Sequence, residues 1–395
     1  MNICLVSTGY PPEDGGGIGT YIYNLAKGLS ELGHRIFIIA KTYGEDAIEE
    51  NHTISIYRYK ARYIPKLEHF IPGLAWSMFV AEKIKELDKA VGLDLIEFPN
   101  WEGVGFVYLL SRKRKPVITR LHTPYFETLM LDKQADRVAF GDHFVCWMER
   151  KACQWSDGLV SSTKFHREMM AENYKLKKKP VHILPLGIQL ISGNGRYQTK
   201  EDRPMRILYV SRLENRKGAM TLLRAIPRVL EQYPQTEFFL IGKDRPHTPD
   251  GLTHKDYFFK HYPGLCDHVH FLGFVSKEKL SEYYKQTDIF VVPSVYESFG
   301  LIYVEAMMHG VPVIGCRAGG IPEVVENEKT GILVDPDDDK ALTDAICRLM
   351  SDPVLREKMG SEARIWCDKH FSHLMMAHRT DLFYRRIHRE ALGYV

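Results

Sequence analysis

Short apolar runs alternate with amphipathic segments along the first half of the chain. An apolar run at residues 2–8 precedes a segment of helical spacing at 20–34, which ends at Gly33. Further apolar runs, each predicted to be a buried strand, lie at 35–41, 93–99, 116–122, 157–163 and 181–187. Strands that alternate with helices indicate a parallel, doubly wound sheet.

The same alternation begins again in the second half of the chain. Residues 187–204 are glycine-rich and polar and show no periodicity, which is typical of a linker between domains. A strand is then predicted at 205–212 and a helix around 218–233. Further strands are predicted at 236–242, 268–274, 288–294, 311–317 and 331–336, and a last helix at 371–390. This order of elements predicts a second Rossmann-like unit.

The length of 395 residues is too great for one ordinary core and suits two domains. We therefore predict an α/β fold in which two Rossmann-like parallel-sheet domains face each other across a ligand-binding cleft. The first domain is predicted to cover residues 1–187, the linker 188–204 and the second domain 205–372.

Composition excludes several classes of protein. A hydrophobic content of 45% with 26% charged residues is typical of a soluble globular chain, and a net charge of +3 argues against nucleic acid as a partner. The seven cysteines are scattered without a C-x-x-C pair, so neither a zinc site nor a disulfide framework is indicated. The chain shows neither a signal peptide nor an apolar run long enough to span a membrane, so we expect a cytoplasmic protein.

A glycine cluster at residues 11–21 lies between the first strand and the first helix. Such a cluster lets the backbone approach a ligand, and the helix N-terminus favours an anion. The dinucleotide pattern G-x-G-x-x-G fails, because counting from Gly15 places Thr20 where the last glycine belongs. Lys41 also stands where an acidic residue is expected, so NAD is disfavoured. The alternative is a tight turn without a ligand.

Two cations follow the first strand of the second domain. Arg212 and Lys217 lie where the carboxyl ends of parallel strands face the crevice. Arginine meets a diphosphate through a planar fork and lysine as a point charge. The alternative is an ordinary solvated charge cluster.

Two glutamates, Glu297 and Glu305, are separated by eight positions across a predicted helix start. Eight helical residues rise roughly 12 Å, whereas the carboxylates of a glycosidase lie roughly 5–9.5 Å apart. The spacing suits a long ligand held at both ends, with a diphosphate at the amides of Phe299, Gly300 and Leu301. Sugar hydroxyls at one carboxylate and a ribose at the other describe a nucleotide-sugar. The alternative makes Glu297 a helix-terminal charge and Glu305 a surface residue.

These motifs resemble the retaining glycosyltransferases of family 4, which have the GT-B fold. The block at 293–336 carries the family's E-x7-E motif, and "SRLENRKG" at 211–218 is similar to its Arg/Lys diphosphate clamp. "GGGIGTY" at 15–21 is similar to its glycine loop, and "LHTP" places His122 where the family often has a histidine beside the donor sugar. The resemblance covers nearly the whole chain.

The resemblance implies roles for the residues of the second domain. Glu297 would bind sugar hydroxyls and Glu305 the ribose, while Arg212 and Lys217 would stabilise the departing diphosphate. The nucleotide base would lie near residues 271–275, which include Phe274.

From the first domain, the amides of Gly16 and Gly17 would face the phosphate and sugar. A C-terminal helix at about 373–395 would pack back on this domain. Residues 243–268 depart from the family, many of whose members have a short glycine-rich turn there.

The implied reaction moves a hexosyl unit from a nucleotide-diphosphate sugar, with a UDP-sugar favoured, to a hydroxyl of a saccharide, glycolipid or small molecule. No metal or other cofactor is expected, because two cations and a helix N-terminus serve the leaving group. Retention follows either from front-face attack, favoured by the resemblance, or from double displacement through Glu297. A nucleotide-sugar epimerase or a phosphorylase on the same scaffold is an alternative, as is a non-catalytic nucleotide-sugar-binding protein.

Membrane contact is a separate hypothesis. Basic runs lie at 112–115 and 175–179, and residues 57–79 mix aromatic with basic side chains. This surface could dock peripherally on an anionic leaflet near a lipid-linked acceptor. The alternative is a solvated surface together with the wall of an acceptor pocket.

Overall fold

The computed structural model describes residues 1–13, 16–60, 71–131, 140–176, 179–190, 203–246 and 248–394. The chain forms two compact units, one made of residues 1–189 and 372–395 and the other of residues 190–371. The prediction ends the first domain at residue 187, two residues before this division. Most of the predicted linker at 188–204 lies outside the described residues.

The first unit is built on an eight-stranded sheet. In chain order, its strands are β1 (Asn2–Ser7), β2 (Arg35–Thr42), β3 (Ala47–Glu49), β4 (Ile54–Lys60), β5 (Leu95–Pro99), β6 (Val117–Leu121), β7 (Gly158–Ser161) and β8 (Val181–Ile183). They lie side by side in the order β3-β4-β2-β1-β5-β6-β7-β8. Every neighbouring pair is parallel except β3 with β4. The central strands are buried on both faces, which explains why they are largely apolar, with Glu97 of β5 and Arg120 of β6 as buried exceptions.

Helices accompany these strands as the alternating pattern predicts. They are α1 (Gly16–Glu31), α2 (Leu74–Val91), α3 (Phe106–Leu109), α4 (Tyr125–Leu131), α5 (Phe140–Trp155), α6 (Lys164–Asn173) and the last helix, α14 (His373–Ala391). The last helix belongs to this unit through buried contacts, since Tyr384 donates to the Glu97 carboxylate of β5 at 2.7 Å. Arg120 of β6 also donates to the Thr380 hydroxyl at 3.4 Å.

The second unit is built on a six-stranded sheet that is parallel throughout. Its strands are β9 (Arg206–Val210), β10 (Glu237–Ile241), β11 (Val269–Gly273), β12 (Ile289–Val291), β13 (Val313–Cys316) and β14 (Gly331–Val334). Its helices are α7 (Ala219–Gln232), α8 (His254–His261), α9 (Lys277–Gln286), α10 (Leu301–Met308), α11 (Ile321–Val324), α12 (Asp339–Ser351) and α13 (Pro353–His370). The strand order is β11-β10-β9-β12-β13-β14, and every pair is parallel. The predicted class of two Rossmann-like sheets is confirmed, with the antiparallel strand β3 as an addition.

Each sheet has one point where the strand order reverses. In the first unit this point lies between β1 and β5, and in the second between β9 and β12. Open α/β sheets bind ligands beyond the carboxyl ends of the strands at such a point. The loops that follow these four strands are therefore where the functional residues of each unit are to be sought.

The unassigned insertion at 243–268 has structure of its own. It contains α8 and a short 3₁₀ helix at Pro263–His268. The Asp244 carboxylate accepts from the backbone amides of His254 and Lys255, both at 3.0 Å, and so holds the start of α8 beside the end of β10.

The acidic run at 335–339 leads into helix α12. The Asp338 side chain caps α12 by accepting from the amides of Lys340 and Ala341 at 3.1 and 2.8 Å.

Candidate active site

The loops after β9 and β12 are joined at the switch point of the second unit. The Val295 amide donates to the Arg216 carbonyl at 3.0 Å. Gly218 has a φ of 66°, and a Cβ at this position would lie only 2.0 Å from the Pro293 carbonyl oxygen. Only glycine permits both this backbone conformation and this close approach. The two loops therefore hold their side chains in a fixed relationship.

Lys217 and Glu297 form an ion pair across these two loops. The Lys217 ammonium donates to Glu297 Oε1, which also accepts from the Ser294 hydroxyl at 3.2 Å. Lys217 is 9% exposed and Glu297 is 7% exposed. This burial rules out a solvated charge cluster for Lys217, and the side chain is less open than expected for a residue that faces the crevice. It also rules out a simple helix-terminal charge for Glu297.

Burial and neighbouring charges set the protonation of the pair. Burial raises the pKa of Glu297, but the Lys217 ammonium and the Arg216 guanidinium outweigh it, so the pKa lies below its usual value. Burial and, to a lesser extent, the charge of Arg216 lower the pKa of Lys217, Glu297 opposes the change, and the net pKa is about 8. Both groups are therefore predominantly charged at neutral pH.

Arg212 occupies a more open position in the loop after β9. Its side chain is 50% exposed, and its guanidinium lies 3.3 Å from Glu214 Oε1. The same carboxylate oxygen lies 3.0 Å from the guanidinium of Arg216. An exposed guanidinium with one carboxylate neighbour can exchange that partner for a phosphate group.

Glu305 lies on α10 and has a tyrosine partner. The Tyr284 hydroxyl donates to Glu305 Oε2 at 3.0 Å. The ring of His309 stacks on Tyr284 at 5.0 Å and is itself held by the Glu305 carbonyl at 2.8 Å. Burial raises the pKa of Glu305, and Tyr284 partly offsets the shift. The sequence does not identify this partner, since nothing in the pattern of α9 singles out Tyr284.

The helix start differs slightly from the prediction. Helix α10 begins at Leu301 rather than near Phe299, with Gly300 in the left-handed region at a φ of 91°. Glu305 is therefore one turn into the helix and not two. The Phe299 side chain is buried against the ring of Phe371 at 5.4 Å, so only its backbone amide remains for a ligand. Leu301 is likewise buried.

The position proposed beside the nucleotide base follows β11 directly. Phe274 is 65% exposed, which is unusual for a large aromatic side chain. The preceding residue, Gly273, accepts from the Gly242 amide at 2.8 Å, so the ends of β10 and β11 are tied together beneath it. An exposed ring on an anchored loop is suited to stacking on a planar ligand.

In the first unit, the glycine cluster opens α1. The helix begins at Gly16, four residues before the predicted start, so Gly16 and Gly17 lie in its first turn. A Cβ at either position would contact nothing within 4 Å, whereas one at Gly19 would lie 2.8 Å from the Gly9 carbonyl oxygen. Packing of the turn thus explains Gly19, and the φ of 54° explains Gly16, whereas neither accounts for the exposed Gly17.

His122 follows β6 in the first unit and is 9% exposed. Its amide donates to Asn100 Oδ1 at 2.7 Å, and its ring lies 5.5 Å from that of Tyr21. Burial, aided by the charge of Arg120, lowers the pKa of His122 to about 3, so the imidazole is neutral. Its Nε2 atom is buried and has no hydrogen-bond partner in the described part of the chain.

A buried charge network supports this region, and the sequence analysis misses it. Glu97 of β5 accepts from the hydroxyls of Tyr21 and Tyr384 at 2.5 and 2.7 Å and from Arg120 Nε at 3.2 Å. The guanidinium of Arg120 also lies 4.6 Å from the Tyr21 ring centroid. A charged residue inside a predicted strand was the available signal, because buried charges require partners.

The findings on metal binding and on membrane-spanning helices concern the described residues. No group of three or more His, Cys, Asp or Glu there could hold a metal ion. None of the described helices is long and apolar enough to cross a membrane.

Some residues of the proposed membrane-docking surface make contacts within the first unit instead. Trp76 is buried in the core and Arg114 pairs with Asp157. Residues 61–70 and 177–178 of this surface lie outside the described ones.

Comparison with known proteins identifies a family for each unit. The model of glycosyltransferase family 4 matches residues 15–190, and the model of glycosyl transferases group 1 matches residues 196–366. An uncharacterised glycosyltransferase of Methanocaldococcus jannaschii is 26% identical over 382 residues, covering 92% of this chain and 93% of the relative.

Solved structures give the same result for the fold. Sucrose-phosphate synthase from Thermosynechococcus elongatus is 27% identical, with a TM-score of 0.80 and coverage of 98% of both chains. Anabaena HepE, solved in complex with UDP-glucose, is 18% identical, with a TM-score of 0.69 and coverage of 100% of both chains. The chain therefore belongs to the family 4 glycosyltransferases and has their GT-B fold.

Proposed function

We propose that this glycosyltransferase moves a hexosyl unit from a nucleotide-diphosphate sugar to a hydroxyl group of a saccharide, glycolipid or small-molecule acceptor. The observation that carries the proposal is the buried Lys217–Glu297 pair at the switch point of the second unit. A buried ammonium beside an exposed guanidinium supplies the positive potential that a departing diphosphate requires. A carboxylate held in the same place offers an acceptor for sugar hydroxyls.

The donor is proposed to lie along the second sheet with its ribose at Glu305 and its base near Phe274. Tyr284 orients the Glu305 carboxylate and leaves its other oxygen for ribose hydroxyls. A UDP-sugar is favoured because Anabaena HepE, which shares the fold, was solved with UDP-glucose. The amides of Gly16 and Gly17 in the first unit are proposed to face the phosphate and sugar, and His122 is proposed to lie beside the donor sugar.

We propose front-face attack with retention of configuration. The bond between the anomeric carbon and the phosphate oxygen breaks, and the acceptor oxygen forms the new bond on the same face. The acceptor proton passes to the leaving phosphate oxygen. Front-face attack is preferred to double displacement through Glu297 because the resemblance to the retaining family 4 enzymes favours it.

A panel of UDP-, GDP- and ADP-sugars tests the proposal. A bound donor at 100 times its Kd should add about 2.7 kcal/mol to the unfolding free energy. Proton NMR should then show release of the nucleotide diphosphate and, with an acceptor, an anomeric proton of unchanged configuration. An epimerised donor without nucleotide release would favour the epimerase. Stabilisation with no turnover would favour the non-catalytic protein.

We also propose that the reaction needs no metal, since Arg212, Lys217 and the amides before α10 stabilise the leaving group. Turnover should persist in EDTA. Loss of turnover that magnesium or manganese restores would show that a metal takes part.

A further inference from the structure

The loops after β5 and β6 approach each other at the switch-point edge of the first sheet. The two strands are parallel neighbours, with Pro99 opposite Arg120 in register. The loop after β5 begins with Asn100 and Trp101, and the loop after β6 leads through His122 to Tyr125. Strand β5 also pairs with β1, the strand that precedes the glycine cluster, so the loop after β5 lies between the loops that follow β1 and β6.

Each loop contributes one aromatic side chain to a shared surface. The rings of Trp101 and Tyr125 have centroids 5.7 Å apart at an angle of 60°, and both side chains are half-buried. We call this pair the aromatic platform. A pyranose ring has an apolar face of C–H groups that can pack on aromatic rings while its hydroxyls remain free for polar contacts.

Beside the platform lie two buried polar atoms that await a partner. Asn100 is 0% exposed, and its Oδ1 accepts from the His122 amide. In the described part of the chain, however, Asn100 Nδ2 and His122 Nε2 have no hydrogen-bond partner. Buried polar groups in native proteins are nearly always paired, so two such atoms on loops that are joined by the hydrogen bond from the His122 amide to Asn100 Oδ1 indicate a ligand with hydroxyl groups.

A buried carboxylate fixes both loops in place. Glu149 on α5 accepts from the backbone amides of Glu102 at 2.9 Å and Tyr125 at 3.0 Å, and from the Tyr174 hydroxyl. Glu149 therefore anchors one loop at the residue that follows Trp101 and the other loop at Tyr125. Glu102 also adopts a φ of 53°, which is strained for a residue other than glycine. Such support is typical of a preorganised binding site.

The charges around the platform select the ligand. The Tyr125 hydroxyl donates to Asp142 Oδ1 at 2.8 Å, and Glu102 adjoins Trp101 in the chain. Carboxylates accept hydrogen bonds from hydroxyls but repel a phosphate group. We infer that the aromatic platform, together with Asn100, seats a neutral saccharide ring of the acceptor. This inference rests on the proposed glycosyl transfer and places the acceptor beside His122.

Transfer to an acceptor and hydrolysis of the donor are measured separately. The first tests the inferred acceptor site, and the second tests the proposed function without an acceptor. Methyl α-glycosides of glucose, mannose and galactose, and maltose, serve as neutral acceptors, and glucose 6-phosphate serves as the charged one. We expect transfer to a neutral acceptor, with no transfer to the phosphate. Trp101→Leu should lower the ratio of transfer to hydrolysis roughly tenfold, the effect of losing one aromatic contact. Trp101→Phe should restore most of it.

Trp155→Leu is the matched control, because this tryptophan belongs to the same unit and is also partly exposed. It should keep the wild-type ratio. Preference for glucose 6-phosphate, or wild-type ratios in both Trp101→Leu and Tyr125→Leu, would overturn the inference.

The absence of nucleotide release from every donor would instead refute the proposed function. Saturation-transfer NMR then tests the platform alone. Signals from the ring protons of maltose should appear with the wild-type protein and disappear with Trp101→Leu. Their absence from the wild type, or their persistence in the variant, would contradict the platform.

Discussion

Lys217 and Glu297 form a buried ion pair that joins the loops after β9 and β12. Among the described residues, Glu297 is the only carboxylate in contact with the Lys217 ammonium. Removing one partner would leave the other charge buried and unpaired, a situation that costs about 3–5 kcal/mol in other proteins. The pair therefore contributes both to the geometry of the proposed donor site and to its electrostatic potential.

The protonation of Lys217 should set the alkaline limit of activity. Burial lowers its pKa to about 8, so the ammonium is charged at pH 7 and loses its proton as the pH rises above 8. Because kcat/KM reports the free enzyme, its value for the donor should fall above about pH 8. Lys217→Arg should remove this limb, since arginine stays charged, although the rate will be lower.

Lys340→Arg is the control for this pH profile, because Lys340 is exposed on α12. Its profile should match that of the wild type. An unchanged alkaline limb in Lys217→Arg would mean that another group titrates.

Arg212 should act mainly on turnover. Its charge is expected to matter more as the glycosidic bond breaks than in the ground state. Arg212→Ala should therefore cost roughly 10²–10³ in kcat, the scale for one preorganised donor. Arg212→Lys should remain impaired, because lysine lacks the planar fork.

Arg317→Ala provides a matched comparison, since Arg317 is equally exposed in the same unit and also has a carboxylate neighbour. It should behave as the wild type in single-turnover kinetics. A near-normal kcat in a folded Arg212→Ala variant would show that Arg212 is an ordinary surface charge with no role in turnover.

Substitution of Glu305 should mainly weaken nucleotide binding, whereas substitution of Glu297 should mainly lower turnover. Glu305→Ala removes the proposed ribose contact, so titration calorimetry should show weaker binding of the free nucleotide diphosphate. Glu297→Ala should leave that affinity nearly intact while turnover falls. Tyr284→Phe should weaken nucleotide binding less than Glu305→Ala, because it removes only the orienting hydrogen bond. Equal nucleotide affinity in the wild type and Glu305→Ala would contradict the ribose assignment.

Gly218 should be intolerant of any side chain. A Cβ there would lie 2.0 Å from the Pro293 carbonyl oxygen, and the φ of 66° is unfavourable for alanine. Gly218→Ala should lower the unfolding free energy by about 1–3 kcal/mol and impair turnover through the adjacent Lys217. Gly264→Ala, where a Cβ would contact nothing within 4 Å, should change neither quantity. Equal free energies of unfolding in urea for Gly218→Ala and Gly264→Ala would show that the close approach of Gly218 to Pro293 is unimportant.

The sequence predicts the strands of both sheets well because each is a short, buried apolar run flanked by breaks. Strands β3 and β4 escape prediction, since β3 is exposed and β4 alternates tyrosine with basic residues. The spacing of Glu297 and Glu305 and the family resemblance single out these two residues, and their roles stay predictions. The partners of these residues are not, because contacts such as Glu305 with Tyr284 join separate elements without a periodic signal.

The burial of Lys217 is equally invisible in the sequence. Its loop is polar and highly charged, and the sequence offers no reason to place Lys217 inside and Arg212 outside. The difference arises from the 3₁₀ turn at Asn215–Lys217 and from the close approach of Gly218 to Pro293. Such tertiary contacts decide the environment of a side chain only after the two loops have met.

The helix α14 brings Tyr384 to Glu97, a residue almost three hundred positions earlier in the chain. During synthesis on the ribosome, all of residues 190–371 must emerge before this hydroxyl becomes available. The second unit can therefore complete its sheet while the first still holds Glu97 and Arg120 without their last contacts. The unit whose translation begins first is therefore the unit whose translation ends last.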